Sequence, residues 1–446
     1  MFRILTEACV KLVRQYLPSP FVFSIWLTVV AFAAVLAATN QSVLQAALNW
    51  GNGLWSLLGF SMQMALILVS GHVLAKAPVL SRLLDKLAAS VKNPKLAVGV
   101  VTLVALVGCW LNWGFGLIVG AVMAKALARN IKGADYPLLV ASAYSGFLIW
   151  HGGLAGSIPL SLATGGADLL KMSGQTLTEA VPVSQTIFAP YNLAIVFGLL
   201  IGLPLLNMAM MPKKPIEADP KLMVEETPPP PPKDTWAHKM DDSRFLAVLL
   251  LALGAAYLYA YFSSKGFVLG LNIVIALFLF AGLLAHGTPE RYSRAVEESA
   301  RGISGIVLLF PFYGGIMGLM TGAAEGGVSL SALITEAFIR WSSAETFPLL
   351  AFFSAGLVNV FVPSGGGQWA VQGPIMLPAG VELGVPPVVS AMAIAWGDAW
   401  TNMIQPFWAL PLLGIVGLNA RAIMGYCLMA LFYSGILISA VFYWMT

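Results

Sequence analysis

Val362-Pro363-Ser364-Gly365-Gly366-Gly367-Gln368-Trp369 interrupts an apolar stretch that runs from Leu349 to Leu377. A proline and three consecutive glycines do not continue a helix without large cost, yet both flanks have the composition of membrane-embedded segments. Each flank offers about 12 such residues, against the ~20 that a helix needs to cross a bilayer. The stretch therefore reads as a re-entrant hairpin, two half-helices whose tip stops near mid-membrane and leaves backbone N–H groups for a ligand. Backbone exposed at that depth must line a cavity. Further on, Trp396-Gly397-Asp398-Ala399-Trp400-Thr401-Asn402 places a carboxylate and an amide inside another apolar run, Val388 to Val416. An intramembrane aspartate marks a functional site by default.

The pattern occurs earlier as well. Asn112-Trp113-Gly114-Phe115-Gly116 interrupts an apolar stretch, and Trp150-His151-Gly152-Gly153 follows it. Pro137 and Pro387 are 250 residues apart, as are Trp150 and Trp400, and Gly114 and Gly365 are 251 apart. Matched helix breaks in two halves of a chain are how secondary transporters disclose their binding site. The expected fold is an all-α polytopic membrane protein, an inverted-repeat secondary transporter with two re-entrant hairpins and broken helices.

With 59% apolar and 10% charged residues, the chain exceeds what a soluble core requires. The formal charge of +4 resides in loops, so it reports orientation in the lipid bilayer and gives no sign of nucleic-acid binding. Cys9, Cys109 and Cys427 show no CxxC spacing. No HExxH, partnered GxSxG, P-loop or acid-rich metal motif is legible, so no catalytic residue, metal or cofactor is assigned beyond a co-transported H⁺ or Na⁺. A membrane-embedded enzyme is the reading from a different class, and it lacks the nucleophile or acid cluster it would need.

Residues 1–18 alternate Phe2, Leu5, Cys9, Leu12, Val13 and Tyr16 with Arg3, Glu7, Lys11 and Arg14, the pattern of an interfacial amphipathic helix. Residues 19–211 form a first transmembrane repeat with its hairpin near 96–127, preceded by a charge-free connection, Thr39 to Gly53. Residues 212–242 are a Pro-rich cytoplasmic linker containing Pro228 to Pro232, and 243–266 a linking span. Residues 267–446 form the second repeat with its hairpin near 347–378. With nine spans and a cytoplasmic N-terminus, all of the 24 Lys and Arg residues except Lys171, Lys265 and Arg340 fall inside. The two hairpins then enter from opposite faces.

At each tip a half-helix begins near mid-membrane, where its N–H groups and positive dipole end favour an anion. The substrate-binding candidates are Asn112, Gly114 and Gly116 at one tip, Ser364, Gly365, Gly366, Gly367 and Gln368 at the other, and Asn402. Asp398 is the coupling candidate: it either binds Na⁺ with freed helix carbonyls and Asn402 or carries a proton, and His151 at the matching break also titrates near neutral pH. Trp113, Trp150, Trp369 and Trp400 gather at the breaks rather than at membrane borders, which suits the wall of an apolar pocket.

These tip and break motifs, with the opening Tyr16-Leu17-Pro18-Ser19-Pro20-Phe21-Val22-Phe23, resemble the bacterial short-chain fatty acid transporter family (AtoE type). The resemblance covers nearly the whole chain. It implies membership of a wider ion-transporter superfamily with inverted repeats, elevator-type movement and frequent homodimers. It also implies uptake of short monocarboxylates such as acetoacetate or butyrate across a bacterial inner membrane. A Na⁺/H⁺ or amino-acid-type carrier of that superfamily is the alternative. Sodium-coupled dicarboxylate relatives carry Ser-Asn-Thr at their tips, whereas this chain has Asn112-Trp113-Gly114 and Pro363-Ser364-Gly365, so the resemblance does not extend to sodium coupling.

Overall fold

The computed structural model describes residues 2–16, 18–75, 77–220, 234–266, 271–300, 303–363 and 365–445. Leu17, Lys76, the Pro228–Pro232 run, the start of the expected Val268–Leu284 span, Arg301 and Ser364 lie outside the described residues. Every regular element among the described residues is helical. The first half runs α1 (Phe2–Tyr16), α2 (Pro20–Ala38), α3 (Val43–Gly53), α4 (Leu58–Ala75), α5 (Pro78–Ser90), α6 (Pro94–Leu111), α7 (Trp113–Asn130), α8 (Tyr136–Ser145), a 3-10 segment (Gly146–Gly152), α9 (Ser157–Thr164), α10 (Gly166–Met172) and α11 (Pro190–Ala209). The second runs α12 (Trp236–Asp241), α13 (Arg244–Lys265), α14 (Leu271–His286), α15 (Pro289–Ala300), α16 (Ser304–Thr321), α17 (Leu330–Arg340), α18 (Phe347–Phe361), α19 (Gly365–Glu382), α20 (Pro387–Thr401), α21 (Leu410–Val416) and α22 (Ala420–Met445).

A helix ends and the next begins where the breakers stand, at Asn112 and just before Gly365. Asn112 ends α6 and caps α7, its side-chain oxygen accepting from Phe115 N at 3.1 Å. The arms then close on Gly108 and Gly116; a Cβ on Gly108 would lie 2.8 Å from Gly116 Cα, so a side chain there would force them apart. The arms are longer than the sequence suggests. α6 and α7 have 18 residues each and α18 and α19 have 15 and 18, or ~22 to 27 Å. Pro374 and Pro378 lie inside α19, where membrane helices tolerate proline.

Seven helices among the described residues are long and apolar enough to cross a membrane by length and composition. α6, one hairpin arm, is among them; the expected spans Leu54–Leu74 and Val268–Leu284 appear only as shorter apolar helices, and Val388–Leu413 is split between α20 and α21. The connection read as loop, Thr39 to Gly53, holds α3, capped by Ser42 and seated so closely that a Cβ on Gly53 would lie 3.0 Å from Gly318 Cα of α16. In α1 the buried face is Thr6 and Cys9, with half-buried Val10 packed on Gly425 of α22, while Leu5, Leu12 and Tyr16 are exposed.

The order of hairpin followed by broken helix recurs in both halves, and the broken helices form the centre. From Tyr136 to Gly153 every residue is buried. Gly397 of α20 lets α18 approach until a Cβ there would lie 2.9 Å from Gly356 N. The second break falls later than expected: α20 stays helical through Thr401, so Asp398 sits in its last turn and the chain is irregular from Asn402 to Ala409.

Candidate substrate and coupling site

The end of α20 is held by an amide that hydropathy alone passes over. Asn359 of α18, fully buried, directs its Nδ2 at Asp398 O (2.8 Å), Asn402 Oδ1 (2.9 Å) and Thr401 Oγ1 (3.0 Å). Two hydrogens are shared among three acceptors, so the amide pins the last turn as a unit. Thr401 Oγ1 in turn donates to Gly356 O at 2.8 Å, and Tyr144 of α8 donates its hydroxyl to Asn402 O at 2.7 Å. Asn192 of α11 ties the two breaks together: its Nδ2 donates to Gly152 O at 3.1 Å and its Oδ1 accepts from Trp396 Nε1 at 3.0 Å.

Against this clamp lie the two groups that the sequence places at matching breaks. His151 Nδ1 is 3.3 Å from Asp398 Oδ1 and 2.8 Å from the carbonyl of Ala395, and both side chains are fully buried. A carbonyl only accepts, so Nδ1 carries hydrogen. Beyond that ring contact, neither carboxylate oxygen has a hydrogen-bond partner among the described residues, nor has His151 Nε2. Leaving a carboxylate buried in this way costs several kcal/mol unless a proton, a cation or a polar ligand compensates it.

The tip of the second hairpin abuts the same ring. A Cβ on Gly365 would lie 2.6 Å from His151 Nε2 and 2.9 Å from Trp150 Cη2, whereas one on Gly366 would meet nothing within 4 Å. The first tip reaches the other side through aromatics. Trp113 packs edge-on against Trp150 (centroids 6.1 Å) and Trp408 (5.1 Å), and Trp150 stacks on His151 (3.6 Å) and Phe147 (5.3 Å). The two tips thus meet across Trp150 and His151.

Not every candidate converges there. Gln368 spends its amide hydrogens inside the hairpin, on Ala355 O and Gln372 Oε1, both at 2.7 Å. Gly114 packs on Ile67 and Gly116 on Gly108 and Cys109, so both serve close packing in this structure. Asn112 uses its oxygen as a helix cap. Trp369 bonds Ser161 Oγ at 3.1 Å and Trp400 bonds Leu431 O at 2.8 Å, each away from the Trp113–Trp150–Trp408 cluster. Ser364 lies outside the described residues. Asn359 and Tyr144 were legible only as polar groups in apolar runs, a signal that names no partner.

A sequence profile of the family described as "Short chain fatty acid transporter" matches residues 1–445. A protein of Escherichia coli (strain K12), provisionally named short-chain fatty acid transporter, is 45% identical over 432 residues, covering 96% of each chain. One of Haemophilus influenzae with the same provisional name is 45% identical over 433 residues, covering 95% of each. A provisionally named basic amino acid antiporter of Escherichia coli, YfcC, is 27% identical over 169 residues, 36% of this chain and 33% of its own. The crystal structure of the Alcanivorax borkumensis YdaH transporter superposes with a TM-score of 0.44 at 16% identity, covering 95% of this chain and 98% of the other, too distant to carry over its topology. With a whole-length profile match and relatives at 45% identity over nearly the entire chain, this multi-pass membrane protein belongs to the short-chain fatty acid transporter family.

Proposed function

We propose that the chain is a cation-coupled symporter of short-chain monocarboxylates, of the acetoacetate and butyrate class, in a bacterial inner membrane. The observation that carries this reading is the buried His151–Asp398 pair, whose carboxylate oxygens and imidazole Nε2 have no hydrogen-bond partner among the described residues and whose ring abuts Gly365. The substrate carboxylate is received at the start of α19, where first-turn N–H groups and the positive dipole end favour an anion and where Gly366 borders open space. The aromatic cluster of Trp113, Trp150 and Trp408 suits a short alkyl tail. Asp398 and His151 carry the coupling charge. The hairpins and broken helices move together as an elevator-type unit, with the N-terminus in the cytoplasm and the hairpins entering from opposite faces. Proteoliposome counterflow of labelled butyrate or acetoacetate, competed by neutral amino acids, tests the substrate class: competition by amino acids alone defeats it.

Three variants test the placement. Gly366→Val fills the open space at the tip with a β-branched side chain, so carboxylate affinity should fall by at least about tenfold, ~1.4 kcal/mol, while membrane insertion persists. Unchanged affinity would return the glycine run to a packing role. For orientation, cysteines replace exposed Ala344, between α17 and α18, and exposed Ser90, at the end of α5; the native Cys9, Cys109 and Cys427 are buried and give a low background. An impermeant maleimide should label Ala344→Cys in intact cells and Ser90→Cys only after permeabilisation. Labelling of Ala344→Cys from the cytoplasm alone would overturn the opposed hairpins.

A further inference from the structure

We infer that the coupling ion is a proton, shared by His151 and Asp398, and that the break in α20 rejects Na⁺. The inference rests on the symport reading above and concerns only its cation. A hard cation needs several oxygen ligands with their lone pairs turned toward it. At this break the oxygens that unwinding offers already face donors. Ala395 O accepts from His151 Nδ1, Asn402 O from the Tyr144 hydroxyl, and Asp398 O, Thr401 Oγ1 and Asn402 Oδ1 share the Asn359 amide, all at 2.7 to 3.0 Å. A cation there would take the place of those hydrogens. Among the described residues, the side-chain oxygens of this clamp left without a donor are the two of the Asp398 carboxylate and Asn359 Oδ1, fewer than an oxygen cage needs, and the carboxylate stands beside an imidazole.

The same geometry suits a proton. Nδ1–H is committed to Ala395 O, so a proton arriving at the ring is taken by Nε2, which is buried, has no partner among the described residues and abuts Gly365 at the hairpin tip. The resulting imidazolium lies 3.3 Å from Asp398 Oδ1, and the pair becomes neutral. Without that proton the pair carries one uncompensated negative charge in a buried site. No other Asp, Glu, Lys or Arg occurs in α8, Gly146–Gly152, α9, α18 or α20. Among neighbouring titratable groups, Cys109, Tyr136, Tyr144 and Tyr191 each donate to a backbone carbonyl and so are protonated, Cys427 is a buried thiol on α22, and Lys95, Lys125, Arg129 and Glu382 stand in the outer turns of their helices. One proton enters from the outer water with one carboxylate anion, and both leave to the cytoplasm. The loaded and the empty carrier then bear the same charge, so the complete cycle is electroneutral.

The test uses the full chain in proteoliposomes, reading the initial entry rate of labelled acetoacetate after subtracting that of protein-free vesicles. An inward acid gradient of one pH unit carries a drive of about tenfold for one proton and should raise the rate. An inward Na⁺ gradient at equal pH, or a potential set with K⁺ and valinomycin, should not. His151→Gln keeps a donor for Ala395 O but does not titrate, so its response to the pH gradient should fall to the protein-free level, as it should in Asp398→Asn. A His151→Gln variant that keeps the wild-type pH response would overturn the shared pair. In parallel, the thermal unfolding of the purified chain should be the same in NaCl and in choline chloride of equal ionic strength, because only a bound ion stabilises by mass action. A sodium-specific rise that disappears in Asp398→Asn, or sodium-driven uptake, would overturn the inference. Absence of wild-type counterflow with both carboxylates would defeat the substrate reading alone, and the unfolding comparison still decides the cation.

Discussion

Replacing Asp398 by asparagine should abolish gradient-driven accumulation of carboxylate, bringing net uptake to the level of protein-free vesicles, while counterflow falls by less than about tenfold, ~1.4 kcal/mol. Asparagine has the size of aspartate and cannot ionise. It therefore imitates the loaded, neutral state. Exchange of labelled for unlabelled substrate cycles only that state, whereas net uptake also needs the carrier to release its proton and return. The substitution removes a buried carboxylate whose oxygens lack hydrogen-bond partners, a charge that costs roughly 2.5 to 3.5 kcal/mol at mid-membrane on the insertion scale. The variant should accordingly unfold at the wild-type temperature or above it. The measurement is uptake under an imposed gradient beside counterflow without one. If the variant concentrates substrate as the wild type does, Asp398 is structural and coupling resides elsewhere.

Gly365→Ala should reduce both net uptake and counterflow by about tenfold or more. The new methyl carbon would lie 2.6 Å from His151 Nε2, 2.7 Å from Cε1 and 2.9 Å from Trp150 Cη2. Neither ring is free to yield: Trp150 is sandwiched against Phe147 and His151, and His151 is tethered to Ala395 O. Overpacking of this kind costs about 1 to 3 kcal/mol, here levied on the state in which the tip is closed. The double variant Gly365→Ala, His151→Ala makes room for the methyl and should recover counterflow without recovering the response to a gradient. Wild-type counterflow in the single variant would mean that the tip does not close on His151 during transport.

Much of this was open to reading residue by residue, because breaker chemistry and hydropathy act over a few residues of chain. Asn112, the Gly365–Gly367 run and the Trp150–Gly153 stretch each interrupt apolar sequence, and each marks an interruption in the fold. Element boundaries were less legible. Pro374 and Pro378 look like stops but lie within α19, and Asp398 looks like a break but is held helical by the Asn359 amide one helix away.

By itself, then, the sequence determined a helical membrane protein with interrupted apolar stretches and singled out Asp398 and His151 as ionisable groups in apolar surroundings. Which side chains meet was decided only by tertiary structure. Offsets of 250 residues suggest that His151 and Asp398 occupy corresponding places, one in each half; packing instead makes them a pair, 3.3 Å apart. Likewise, Asn402 and the carbonyls near Asp398 look like cation ligands until Asn359, Tyr144 and His151 arrive from three other segments and turn donors toward them. The physical reason is that periodicity fixes which face of a helix is apolar, whereas the approach of two helices depends on small residues at their crossing, here Gly356 and Gly397, whose missing side chains bring α18 against α20 and set Asn359 within hydrogen-bond reach of its last turn.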